Sequence, residues 1–189
     1  MLWSRHVGLP YTTHCMPPEK TWCEALTCIV KDISDPLVLL VLEDYWACKS
    51  MDTRRFQLLF GAMHDGKADK ADLQFQVNHW QHVKADDGFL ESQQTADYRA
   101  STQAAIWKRD YLLKKLQVGG SAWDFELSCG SRNDSARIIG LPEASLTYAN
   151  VMLKGTPDPY QIARIDAYDW EWLHRENALP EDFVKIRPV

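Results

Sequence analysis

The stretch that decides the fold runs Leu37-Val38-Leu39-Leu40-Val41-Leu42-Glu43-Asp44-Tyr45-Trp46. Six aliphatic residues without polar alternation suit a strand covered on both faces, and such strands belong to mostly parallel sheets with helices on either side. Just before it, Ser34-Asp35-Pro36 stops the preceding element, because Pro36 cannot continue a helix and pushes Asp35 to extended geometry. That preceding element opens at Pro17-Pro18 and repeats Trp22, Leu26, Ile29, Val30 and Ile33 at helical spacing. After the acidic residues, Ser50 or Asp52 is a fitting N-cap for a helix whose stripe is Phe56, Leu59, Phe60 and Met63, with Gly66 at its end.

Farther out, Leu73, Phe75 and Val77 alternate with Gln74, Gln76 and Asn78, the pattern of a half-covered strand. Lys84 to Thr95 reads as a polar loop, Tyr98-Arg99-Ala100-Ser101 as a short extended piece, and a helix is predicted from about Gln103 to Leu116, stopped by Gly119-Gly120. Trp123-Asp124-Phe125-Glu126 suits a short helix. Two extended pieces, Arg137 to Leu141 and Ser145 to Met152, precede a last helix over about Gln161 to Glu176. Alternating strands and helices give an α/β class, expected as one three-layer domain over residues 1–189 with a mostly parallel sheet.

Composition narrows the function classes. With 189 residues, 46% hydrophobic and 25% charged, the chain is globular rather than disordered. Lys+Arg of 21 against Asp+Glu of 26 gives a net charge of −5, without the basic footprint of a duplex binder, so no nucleic-acid partner is expected. The longest aliphatic run is too short to cross a bilayer, and the N-terminus lacks an apolar signal core. Five Cys, odd in number and without C-x-x-C, read as reduced thiols of a cytoplasmic protein. No Walker A, G-x-G-x-x-G or G-x-S-x-G string occurs. His79 and His82 would face opposite sides of a strand, and Cys23 and Cys28 do not share a helix face, so neither pair suits a metal. Eight Trp are unusual, and Trp170 and Trp172 would face different sides of the last helix.

Chemistry concentrates at Glu43-Asp44, because open α/β sheets place ligands beyond the carboxyl ends of their strands. Adjacent carboxylates repel, and a divalent cation bridging to a phosphate relieves that repulsion. The same dipeptide also begins ordinary surface loops, and spacing alone favours that plainer account.

The aliphatic run with its acidic end resembles the strand and acidic metal motif of GT-A-fold glycosyltransferases. Gln103-Ala104-Ala105-Ile106-Trp107-Lys108-Arg109-Asp110-Tyr111-Leu112-Leu113 and Ser121-Ala122-Trp123-Asp124-Phe125-Glu126 resemble strings of glycosyltransferase-like proteins from polysaccharide gene clusters. The resemblance spans about Trp22 to Gly155. It implies an abbreviated GT-A fold and a nucleotide-sugar donor whose diphosphate is held through Mn²⁺ or Mg²⁺ by Glu43 and Asp44. It implies a glycan acceptor deprotonated by Asp124 or Glu126, and further phosphate contacts from Lys108 or Arg109. The acidic motif arrives at position 43, where GT-A enzymes usually spend about a hundred residues first on nucleoside-binding βαβ units. A non-catalytic glycan-binding or assembly protein with the same sheet is the alternative.

Overall fold

The computed structural model describes residues 19–74, 82–153, 156–163 and 165. In chain order the first elements are α1 (Trp22–Asp32), β1 (Leu37–Leu40), β2 (Tyr45–Ala47), α2 (Thr53–His64), β3 (Lys70–Asp72), β4 (His82–Lys84) and β5 (Leu90–Ser92). There follow β6 (Ala105–Lys108), α3 (Arg109–Leu116), α4 (Ala122–Ser128), β7 (Ile138–Gly140), β8 (Tyr148–Asn150), β9 (Met152–Leu153), β10 (Thr156–Pro157) and α5 (Pro159–Ile162). The chain forms two compact units. The larger comprises residues 16–42 and 51–146, the smaller 1–15, 43–50 and 147–189.

The larger unit carries a six-stranded sheet in the order β1-β6-β3-β7-β5-β4, with α1 to α4. The α/β class holds, but the expected mostly parallel sheet does not: among the described residues only β3 with β7 is parallel, the other pairings of this sheet being antiparallel. Nor is the aliphatic run central. β1 lies at the sheet edge and pairs on one side only, Leu37↔Lys108 to Leu40↔Ala105. Its sequence does not alternate, but its burial does: Val38 and Leu40 enter the core with Val30, Leu112 and Leu116, whereas Leu39 is 52% exposed. Val41, at 41%, has already left the strand.

Among the strands flanked on both sides is β6, which the sequence pattern places inside a helix from Gln103. Flanked by β1 and β3, it buries Ala105, Ile106 and Trp107 completely or nearly so. An isoleucine and a tryptophan in sequence favour a strand, and tertiary pairing overrides the helical spacing that continues into α3. The predicted loop from Lys84 likewise contains a hairpin, β4 with β5, turning through Ala85-Asp86-Asp87-Gly88 with Gly88 at φ 87°. Asp-Gly before an apolar residue is a hairpin signal, and Gly alone adopts that backbone freely.

Other elements follow the sequence closely. Thr21 caps α1 in a capping box with Glu24, and the Asp52 carboxylate accepts the Arg55 N–H at 3.0 Å to cap α2. Leu59 and Met63 bury the α2 stripe, although Phe60 remains 44% exposed. In the larger core Phe125 of α4 lies against Trp22 and Trp107 at centroid distances of 5.6 and 6.0 Å.

The smaller unit pairs β2 with β8 antiparallel, stacking Tyr45 on Tyr148 at 4.6 Å, and packs Cys48, Ala149, Val151, Ile162 and Ile165 with Trp46. Pro17-Pro18, Phe75, Val77, His79, Trp170, Trp172 and the last predicted helix beyond Ile165 lie outside the described residues. Among the described residues no helix is long and apolar enough to cross a membrane.

Candidate functional site

Glu43 and Asp44 occupy a turn of the smaller unit, between the end of β1 and the start of β2. The Asp44 carbonyl accepts the Val151 N–H at 2.9 Å, which fixes the turn to the segment between β8 and β9. Glu43 is exposed, whereas Asp44 is half-buried and its Oδ1 is enclosed with no hydrogen bond from another residue among those described. Burial, and then the neighbouring Glu43 charge, push the Asp44 carboxyl above the usual carboxylate range. Such an atom is costly unless something satisfies it. Among the described residues no cluster of three or more His, Cys, Asp or Glu forms a closed metal cage. Two carboxylates suit Mg²⁺ or Mn²⁺, which take one or two protein carboxylates and complete their shell with water and phosphate oxygens.

The other candidates lie in the larger unit. Asp124 and Glu126 both sit on α4, and the structure separates their roles. Asp124 Oδ2 accepts from the Ser121 N–H at 2.7 Å and the Ser121 hydroxyl at 2.6 Å, forming the capping box of α4. Those bonds hold its carboxyl below the ordinary range, opposite to what a base needs. Glu126 Oε1 accepts from the Thr102 N–H at 2.6 Å and the Thr102 hydroxyl at 2.7 Å. Its second oxygen has no hydrogen bond among the described residues, and Glu126 lines a groove of about 420 Å³ with Asp97, Tyr98, Leu127, Ser128, Ser131 and Arg132. Trp123 precedes Glu126 by three residues, on the same helix face, and is 68% exposed, whereas Phe125 is buried in the core.

Lys108 and Arg109 stand at the junction of β6 and α3. Lys108 Nζ meets Asp69 at 2.9 Å, and an Arg109 Nη donates to the Ile33 carbonyl at 2.7 Å. Both cations serve the fold in this way, tying α3 and β6 to the neighbouring segments.

The structure also assembles a buried polar network that no local pattern signals. Arg99, 2% exposed, donates to the carbonyls of Ser131, Ser92, Gln93 and Ala136 and lies 3.5 Å from Asp134. Asp134 in turn meets Lys115 at 2.6 Å and accepts from the Tyr111 hydroxyl at 2.9 Å. Burial alone would raise the Asp134 carboxyl, but hydrogen bonds from Lys115, Tyr111 and the Ala136 N–H outweigh it and hold it low. Burial, reinforced by Asp134, pushes the Tyr111 phenol far upward. Deeper in the sheet Lys70 meets Asp72 at 2.7 Å and stands over the Trp107 ring at 4.8 Å. Beside them a cavity of about 20 Å³, lined by Asp72, Ser92, Arg99 and Ser101 among others, has room for about one water.

No family model matches this chain, and neither a curated protein nor a solved structure gives a match.

Proposed function

We propose that the protein is a metal-assisted glycosyltransferase that moves a sugar from a nucleotide donor to a glycan hydroxyl. The observation that carries it is the enclosed, unpartnered Oδ1 of Asp44 beside a second carboxylate. Glu43 and Asp44 would hold Mn²⁺ or Mg²⁺, which when bound neutralises the charge of the departing diphosphate.

The protein's own residues supply the rest. Thr102 holds Glu126 by one oxygen, leaving the other to meet a hydroxyl of a glycan in the groove. Asp124 keeps the first turn of α4 in place and so positions Glu126 two residues later. Lys108 and Arg109 are assigned to the fold, since their charges already meet Asp69 and the Ile33 carbonyl.

The assay is thermal melting with Mn²⁺, UDP, and both together. A ligand that binds only the native state raises apparent stability, so the pair should stabilise more than the sum of each alone. Absence of a shift with UDP, GDP, ADP or CDP in the presence of Mn²⁺ refutes the donor site. A non-catalytic glycan-binding protein is the second account, favoured by exposed Trp123 on the same face as Glu126, a surface that requires no donor. It predicts glycan retention without any nucleotide effect.

A further inference from the structure

Tyr98 is the one described non-glycine residue of the Glu126 groove with a left-handed backbone, at φ 55°. A bulky residue there is strained by about 1 kcal/mol or more, and such strain persists where the surroundings or a task retain it. No hydrogen bond or aromatic pair of the side chain accounts for it among the described residues. Tyr98 is 39% exposed, and its carbonyl accepts from the Ser101 N–H at 3.0 Å. It lines both the groove and the water-sized cavity that also touches Asp72.

The lining indicates what would cover such a ring. Asp97 and Arg132 lie 3.4 Å apart and largely cancel, so Glu126 is the remaining charge and an anionic ligand gains little. About 420 Å³ suits one or two sugar rings. Planar polar groups beside an aromatic face match vicinal hydroxyls beside an apolar C–H face.

We propose that Tyr98 is the stacking platform of a carbohydrate subsite in this groove, and that the ligand is a neutral glycan presenting a pyranose with one apolar face. This rests on the glycan-acceptor part of the function proposed above and names the residue that selects the acceptor.

The experiment uses the full chain on an array of immobilised neutral and acidic oligosaccharides, followed by calorimetric titration with the best-retained glycan. Three proteins are compared: wild type, Tyr98→Asn and Tyr98→Phe. Asparagine tolerates the left-handed backbone without supplying a ring. Wild type should retain neutral glycans, Tyr98→Asn should bind about tenfold more weakly, and Tyr98→Phe should stay within about twofold. The melting temperature of Tyr98→Asn should fall only slightly, because relief of the backbone strain offsets much of the packing lost with a partly covered ring. Retention of acidic glycans only, retention of none, equal binding by Tyr98→Asn, or a marked melting loss in that variant each overturns the proposal. The two proposals fail separately. A cooperative Mn²⁺ and UDP shift without neutral-glycan retention sinks the subsite alone, and Tyr98-dependent retention without that shift sinks the transferase alone.

Discussion

In the larger unit Arg99, Lys70 and Lys115 are buried and the Asp134 carboxylate is largely covered, and each meets a counter-charge or a set of carbonyl oxygens. In the smaller unit Asp44 encloses a carboxylate oxygen that meets neither among the described residues, and its neighbour is another carboxylate. Both arrangements take charge out of water. The first compensates that cost within the chain and so acts as scaffold, while the second leaves it to be met by something that binds. Removing a charge should therefore have opposite consequences in the two places.

The largest effect is expected at Arg99. Arg99→Ala strands the carbonyls of Ser92, Gln93, Ser131 and Ala136 and leaves Asp134 with less counter-charge, a loss of about 4 kcal/mol, most of an ordinary domain's margin. Urea unfolding would show it, or the variant would fail to fold. Next is Asp134→Asn, costing about 3 kcal/mol at neutral pH by leaving Lys115 buried without its partner. The sign with pH follows from the lowered carboxyl: its contribution is present above the unfolded value near 4 and is lost as pH falls through the folded value. The gap between wild type and Asp134→Asn should close in acid, as unfolding midpoints against pH would show.

Asp44→Asn should do the reverse. It removes the repulsion with Glu43 and the burial of an unpaired charge, so the melting temperature of the metal-free protein should hold or rise slightly. A raised carboxyl pKa in the native state subtracts stability as pH climbs through the interval above about 4, and the substitution abolishes that dependence. The smallest effect is expected at Trp123, exposed at 68%: Trp123→Ala should change stability by no more than about 0.5 kcal/mol while weakening glycan retention. A substantial melting loss there would place Trp123 in the scaffold instead.

The contrast also shows how far the sequence could be read. Local signals suffice for α1, α2 and α4 as helices, although only the α2 cap, Asp52, is among the residues read as caps, and α1 starts at Trp22 behind Thr21 rather than at Pro17-Pro18. Leu37 to Leu42 misled because six aliphatics satisfy a doubly covered strand equally well as an edge strand with one outward leucine, and periodicity cannot count neighbours. Ala105 to Lys108 misled for the opposite reason, since the strand runs straight into α3 without a turn and borrows its spacing. At the site, Glu43, Asp44 and Glu126 were legible as residue types, but Asp124 was not separable from Glu126 until the capping box appeared. Arg99 and Asp134 had no signal at all. They are 35 positions apart on irregular segments, and only the tertiary fold makes them partners. Tyr98-Arg99-Ala100-Ser101 reads as an extended piece but lies in a turn, because positive φ at a tyrosine contradicts its propensity.

The most direct measurement is electron paramagnetic resonance of Mn²⁺ titrated into wild type and Asp44→Asn, with and without UDP, at pH 7.5. The account predicts one bound Mn²⁺ per wild-type chain, tightened at least about tenfold by UDP, and no tightening in the variant. Equal Mn²⁺ binding by both proteins, or binding by wild type that UDP leaves unchanged, would contradict it.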